Sequence, residues 1–236
     1  GKRREAVITV LAARTPAQVV LLDDGFQYFR MQRLLDLVLV DASRASPRER
    51  LFPAGRLREP WDHLARADSV WLTHVDQATP TGLEELEAMV ERHSPLGPSV
   101  HTRHRLSVLR SPHGEHLSSA ALAGQRVLAV SGLGNPRSFE LSLAQAGAEV
   151  VPCRFSDHHP YSPGDLLTIN DRIEDNQPHL VVTTEKDAVK LARLAMTAKQ
   201  DFRRDLWVAE CELELLRGAE QVETQLGCIA AAVRPE

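Results

Sequence analysis

Short apolar runs alternating with stretches of helical spacing set the pattern of this chain. Val19-Val20-Leu21-Leu22, Leu37-Val38-Leu39-Val40, Ser69–Thr73, Arg126–Val130, Glu149–Pro152 and Pro178–Thr184 each read as a strand, with Asp205–Leu215 as the last. Runs without polar alternation suit strands buried on both faces of a mostly parallel sheet. Helical spacing or charge predicts helices over residues 2–14, 61–67, 81–92, 138–145, 188–195 and 220–233. The 81–92 helix is expected to start at Thr81 or Gly82 with Glu84 and Glu85 in its first turn, and another is capped by Ser162, with Pro163 and Asp165 following. Strands alternating with helices predict a parallel sheet covered on both faces. The Pro- and Gly-bearing stretch Ser94–Pro98 reads as a boundary, and Ser99–Arg110 as an extended connector. The expected organisation is therefore a first domain over 1–98, a connector over 99–110 and a smaller α/β domain over 111–236.

Acids and glycines stand where the predicted strands end. The first run leads into Asp23-Asp24-Gly25-Phe26-Gln27 and the second into Asp41. In open α/β sheets the carboxyl ends of the strands face the ligand. An Asp there is how nucleotide-transferring folds hold the magnesium of a bound triphosphate. The competing reading of Asp24-Gly25 is a hairpin turn. Leu51–Pro60 is an irregular loop whose Arg56, Arg58 and Glu59 suit an anion or a metal, or else form a local ion pair in solvent.

Further on, Ser131-Gly132-Leu133-Gly134-Asn135-Pro136 is a strand–glycine–helix turn of the kind that cradles phosphate. Arg137 occupies the position of the third glycine of a dinucleotide fingerprint, so a tight βα turn is the simpler reading, and an oxidoreductase built on Gly132 and Gly134 a remote one. Asp157-His158-His159 sets an acid beside two imidazoles, which general-base chemistry needs, although a polar loop facing water has the same composition. Lys186 and the hydroxyl of Thr184, at the end of the strand over 178–184, could meet phosphate; equally, Glu185 and Lys186 could be ordinary first-turn charges of a helix. His113 and His116 lack a nearby third ligand.

Composition narrows the function classes. The chain has 236 residues, 43% hydrophobic and 25% charged, as in an ordinary globular protein. A net charge of −4 provides no global field for nucleic acid. Three dispersed cysteines without a CxxC pair fit a reducing compartment and neither a disulfide framework nor a zinc site. No apolar run approaches the roughly 20 residues of a membrane span. No stretch reads as a signal peptide, and the first residue is Gly rather than Met.

Five stretches in order resemble the tetraacyldisaccharide 4′-kinase family of lipid A synthesis: Leu22-Asp23-Asp24-Gly25-Phe26-Gln27, Leu51–Pro60, Gly132–Pro136 with Phe139, Phe155–His159, and Thr184–Lys190. The resemblance implies a P-loop NTPase-like fold with a smaller C-terminal α/β domain. It implies transfer of the γ-phosphate of ATP, with Mg2+, to the 4′-hydroxyl of a lipid-linked glucosamine disaccharide 1-phosphate. The expected location is cytoplasmic, peripheral to the inner membrane of a Gram-negative bacterium. By the same resemblance Asp23, Asp24 and Glu59 are metal candidates, His158 (with Asp157 and Asp24) catalytic, Lys186 and Thr184 nucleotide-side, and Arg56, Arg58 and Gln27 substrate-side. The phosphate loop GxxxxGK[ST] occurs nowhere in these residues, and Tyr28 stands where many relatives have His. The expectation is an N-terminally truncated kinase, poorly active and poorly soluble alone because an apolar face would lie bare; the rival is a non-catalytic nucleotide- or glycolipid-binding relative.

Overall fold

The computed structural model describes residues 4–97, 100–198, 202 and 204–233. They form two compact units, Gly1–Arg103 with Leu215–Glu236, and His104–Glu214. The closing helix thus returns to the first unit. Lys2, Arg3, Pro98 and Ser99, on which parts of the sequence reading fall, lie outside the described residues.

In the first unit, helix α1 (Arg4–Arg14) buries none of its residues. Strand β1 (Leu37–Asp41) pairs in parallel with β2 (Ser69–Thr73), and β2 in parallel with the start of β3 (Val100–Arg110). Helix α2 (Pro80–His93) packs Leu86, Met89 and Val90 against Val40, Val70 and Leu72. It starts one residue before Thr81 and two before Gly82, the expected starts, because the Thr79 hydroxyl accepts the Gly82 N–H at 3.1 Å and Pro80 follows it. Residues 61–66 form a 3-10 turn anchored by buried Leu64. Helix α6 (Ala219–Ala232) closes the unit.

The strand expected over Val19–Leu22 does not form. These residues are irregular, with Val19, Val20 and Leu21 47%, 42% and 90% exposed. An apolar run becomes a strand only with a ladder partner, and among the described residues none pairs with it. The hairpin reading fails too: Asp23-Asp24 is a turn, but no strands flank it. Among the described residues β1 likewise pairs only with β2, leaving Leu37 and Leu39 exposed. With Leu34, Val222, Leu226 and Ile229 they line an open concavity of about 930 Å³.

The second unit follows its pattern closely. Strands β5 (Arg126–Ser131), β6 (Glu149–Arg154), β7 (Leu180–Thr184) and β8 (Leu206–Arg217) run parallel in the order β6-β5-β7-β8. The expected connector is mostly strand β3; its Ser107 Oγ donates to the Glu210 carbonyl at 3.1 Å, and short β4 (His116–Ser118) pairs antiparallel with it. Side chains alternate between two cores. Val127, Ala129 and Val182 meet Phe139 and Leu143 of helix α3 (Pro136–Gln145) on one face. Leu128, Val130 and Val181 meet Leu166 and Ile169 of α4 (Pro163–Asn176) and Leu191 of α5 (Glu185–Ala198) on the other. Burial of both faces is why these runs carry no polar alternation.

Candidate functional site

In the first unit the acids lie on an exposed turn. Asp24 adopts φ of 50°, a left-handed conformation that Asp tolerates better than most residues. Gly25 is buried, and a Cβ there would sit 2.9 Å from the Leu22 Cβ. Arg4 Nη1 donates to the carbonyls of Asp23 and Asp24 at 2.9 and 3.2 Å, and Tyr28 Oη donates to Glu5. The Asp24 carboxylate pairs with Arg58 at 3.1 Å, the two side chains 65% and 63% exposed.

The Leu51–Pro60 loop is tightly built. Phe52 N–H donates to the Leu57 carbonyl at 2.8 Å and Leu57 N–H to that of Arg50 at 3.1 Å. A Cβ on Gly55 would lie 2.2 Å from the Arg50 carbonyl oxygen, so only glycine fits. Arg56 pairs with Glu49 at 2.5 Å and also donates to the Arg44 carbonyl. Its guanidinium holds Glu49 below the usual carboxylate range. Much of the Arg56 charge is therefore matched by the segment just before the loop.

Glu59, 15% exposed, joins the two motifs. Its Oε2 meets His63 Nδ1 at 2.7 Å and accepts from Arg66 Nη2 at 2.5 Å. The Arg66 guanidinium lies over the rings of Phe26 and Phe29, at 4.5 and 4.6 Å. The Asp-Asp-Gly-Phe and Arg-Glu-Pro motifs are thus linked twice, through Arg58–Asp24 and through Phe26–Arg66–Glu59. Arg66 and His63 belong to neither motif, and only the 3-10 turn at 61–66 brings them back to Glu59.

Among the described residues no group of three or more His, Cys, Asp or Glu side chains converges as a metal cage. Magnesium in phosphotransfer sites needs only one or two carboxylates, with phosphates and waters completing its octahedron. The exposed oxygens of Asp23 and Asp24 fit that use; Glu59 Oε2 is already committed. Gln27, Arg56, Arg58 and Glu59 line a cavity of about 330 Å³ whose other walls include Phe26, Leu57 and Trp61. Asp41 also lines it. Burial pushes the Asp41 carboxyl up, but hydrogen bonds from His74 and Ser43 prevail and hold it down at about 2.

The second unit gathers its polar residues at the carboxyl ends of β5, β6 and β7. Lys186 Nζ lies 3.3 Å from Asp157 Oδ1, which also accepts the His158 N–H at 2.9 Å. Burial raises the Asp157 carboxyl, yet Lys186 first and His158 second bring it below the usual range. The His158 ring is 78% exposed. His159 is held, by contrast: its Nε2 is 3.1 Å from Asp165 Oδ2, its Nδ1 3.2 Å from Ser156 Oγ, and its ring packs on Phe155 and Tyr161. Asp165 is itself the capping-box acid of α4.

Beneath this layer lies Asp187, fully buried and absent from the sequence-derived candidates. It accepts the Gly132 N–H at 2.8 Å and the Thr184 hydroxyl at 2.9 Å. Thr184, read as a phosphate contact, thus spends its proton inside the protein. A Cβ on Gly132 would lie 3.0 Å from Tyr161 Oη and 3.1 Å from Asp187 Oδ1, a tight fit against both side chains. Burial, and then Asp187, push the Tyr161 phenol up.

These features define an α/β protein with a mostly parallel sheet and an acid-bearing turn tied to an arginine loop. The same fold occurs in LpxK from Aquifex aeolicus, crystallised in complex with ATP: TM-score 0.62, 22% identity, 97% of this chain and 63% of that one covered. The sequence profile of LpxK, tetraacyldisaccharide-1-P 4′-kinase, matches residues 1–229, and the chain belongs to that family. Tetraacyldisaccharide 4′-kinase of Anaeromyxobacter sp. (strain K) is 39% identical across all of this chain and 62% of its own length. That of Halothermothrix orenii is 33% identical across 91% of this chain and 59% of its own. The chain thus spans about 60% of the length of these relatives.

Proposed function

We propose that the polypeptide carrying this chain transfers the γ-phosphoryl group of ATP to the 4′-hydroxyl of a tetraacyldisaccharide 1-phosphate. The double linkage between the Asp-Asp-Gly-Phe and Arg-Glu-Pro motifs carries this reading, because it couples carboxylates suited to magnesium to a loop rich in arginine. Asp23 and Asp24 are the residues that would hold magnesium, which supplies charge neutralisation on the transferred group. Arg58 shares Asp24 and offers its remaining N–H groups to an anionic oxygen. Arg56 and Gln27 serve the acceptor, and Glu59 keeps the loop in register through Arg66.

In the second unit His158 is exposed and backed by Asp157, the arrangement of a general base. Lys186 orients Asp157 and remains near enough to solvent to meet a phosphate oxygen. The γ-phosphate grip of P-loop enzymes is a glycine-rich loop with its Lys. These residues contain no GxxxxGK[ST] stretch, so we expect weak turnover from them alone. Among the described residues no helix is long and apolar enough to cross a membrane. The proposed contact with the cytoplasmic face of the inner membrane is peripheral, made where the lipid acceptor resides.

The test is transfer of γ-labelled phosphate from ATP to the disaccharide 1-phosphate by the native polypeptide. Label at the 4′ position supports the reading. A folded protein that binds ATP or the glycolipid without transferring label would instead be the non-catalytic relative.

A further inference from the structure

We infer that His159 and Tyr161 are positioning residues that brace the Ser156–His159 turn, so that His158 is held in a left-handed backbone with its imidazole presented to solvent. The inference rests on the reading of His158 as the general base and adds to it what fixes that base in place. The backbone is the first observation. The His159 N–H donates to the Ser156 carbonyl at 3.1 Å, closing a turn with His158 at its third position, where φ is 56°. A positive φ there ordinarily calls for Gly or Asn, because a Cβ crowds the backbone. Another residue keeps such a conformation only where its surroundings over-determine it. The His158 ring does not supply that restraint: it is exposed, and its Nε2 stands 3.9 Å from Asp157 Oδ2, beyond hydrogen-bond range.

The restraint comes from the residues around it. His159 Nδ1 lies 3.2 Å from Ser156 Oγ and its Nε2 3.1 Å from Asp165 Oδ2, so one half-buried ring ties the first residue of the turn to the cap of α4. The rings of Phe155, His159 and Tyr161 touch one another, with centroids 5.0, 5.1 and 5.1 Å apart. They stand before, within and after the turn. Phe155 is itself tied to the end of β5, its N–H donating to the Ser131 carbonyl at 2.8 Å. Tyr161 reaches the scaffold below. Its hydroxyl is buried and, with Asp187 Oδ1, faces the place that a Gly132 Cβ would take, 3.0 and 3.1 Å away. From α5, Lys190 Nζ donates to the His159 carbonyl at 3.4 Å. The two neighbouring histidines thus have separate duties: both ring nitrogens of His159 are engaged in holding the loop, and the His158 imidazole is left to act. A reacting group already held near its working geometry avoids the ordering cost at the moment of reaction.

The experiment uses the native polypeptide, His159→Phe, which keeps the ring stack but removes both polar ties, and Tyr161→Phe, which removes only the hydroxyl. His158→Asn, alone and combined with His159→Phe, removes the imidazole while Asn tolerates the left-handed backbone. Steady-state constants are measured with ATP and the disaccharide 1-phosphate. The NOE between a residue's own amide and α protons, intense where the backbone is left-handed, is followed at His158 in protein isotopically labelled at histidine. The inference expects His159→Phe to lower kcat at least about tenfold and Tyr161→Phe about threefold, with both KM values within about twofold. The NOE weakens in the same order. In the His158→Asn background, His159→Phe costs nothing further, because its effect runs through the imidazole. An unchanged kcat or NOE in folded His159→Phe, or an equal loss with and without the His158 imidazole, would overturn the inference. Failure of the kinase reading has a different signature: the native polypeptide transfers no label, yet the NOE still weakens in both brace variants.

Discussion

Two carboxylates, Asp24 on a turn of the first unit and Asp187 at the start of helix α5 in the second, are held in opposite ways. Asp187 is fully buried and receives the Gly132 N–H and the Thr184 hydroxyl, so folding alone sets its position. Asp24 is mostly exposed, and its ion-pair partner among the described residues, Arg58, is as exposed as it is. Surface pairs of that kind contribute about 0–1 kcal/mol, whereas a buried acceptor that answers an interior N–H cannot be removed cheaply. The second unit is thus a preset scaffold for the Asp157–His158 loop. The acid turn is left to be completed by what it binds.

The largest effect expected from this contrast is at Asp187. Asp187→Ala strands the Gly132 N–H and should cost about 3 kcal/mol in denaturant unfolding. A cost under about 1 kcal/mol would erase the distinction between the two carboxylates. Next comes Arg66→Ala, which releases Glu59 and two aromatic faces and should cost about 1.5 kcal/mol. A double-mutant cycle with Phe26→Leu should return a coupling of at least about 0.5 kcal/mol, and zero coupling would unlink the motifs.

Asp41 provides a pH signature. Its carboxyl is depressed to about 2 in the folded protein, against about 3.9 in an unfolded chain. Its stabilisation is therefore present above pH 4 and lost as the pH falls toward 2. The shift corresponds to about 2.5 kcal/mol by linkage, discounted to about 1 kcal/mol because the side chain is 35% exposed. Asp41→Asn should lose that amount at pH 7, and the gap to wild type should close on acidification; a gap constant with pH would contradict the assignment. The smallest stability effect is expected for Arg58→Ala, within about 0.5 kcal/mol, alongside at least a tenfold fall in phosphate transfer.

Legibility in the sequence follows the same divide. The runs at 126–130 and 178–184 were readable as strands because each finds neighbours on both sides, and Ser162-Pro163 with Asp165 was readable as a helix start because a cap is a local device. The run at 19–22 has the same composition and is not a strand, since pairing depends on a partner that composition cannot report. Arg66, His63 and Asp187 went unread for a related reason. Each acts through a contact made only after a turn folds back, Arg66 on Phe26 and Glu59, Asp187 on the amide of Gly132. Thr184 looked available because its sequence neighbours do not reveal that its hydroxyl is spent on Asp187.

The most direct test of the account is the rate of phosphate transfer from ATP to the disaccharide 1-phosphate by the native polypeptide and by Asp24→Asn. Asn tolerates the left-handed backbone at position 24, so the variant removes charge without disturbing the turn. We predict a fall of at least a hundredfold with an unchanged melting temperature. Equal rates for the two proteins would contradict the assignment of the acid turn to the chemistry.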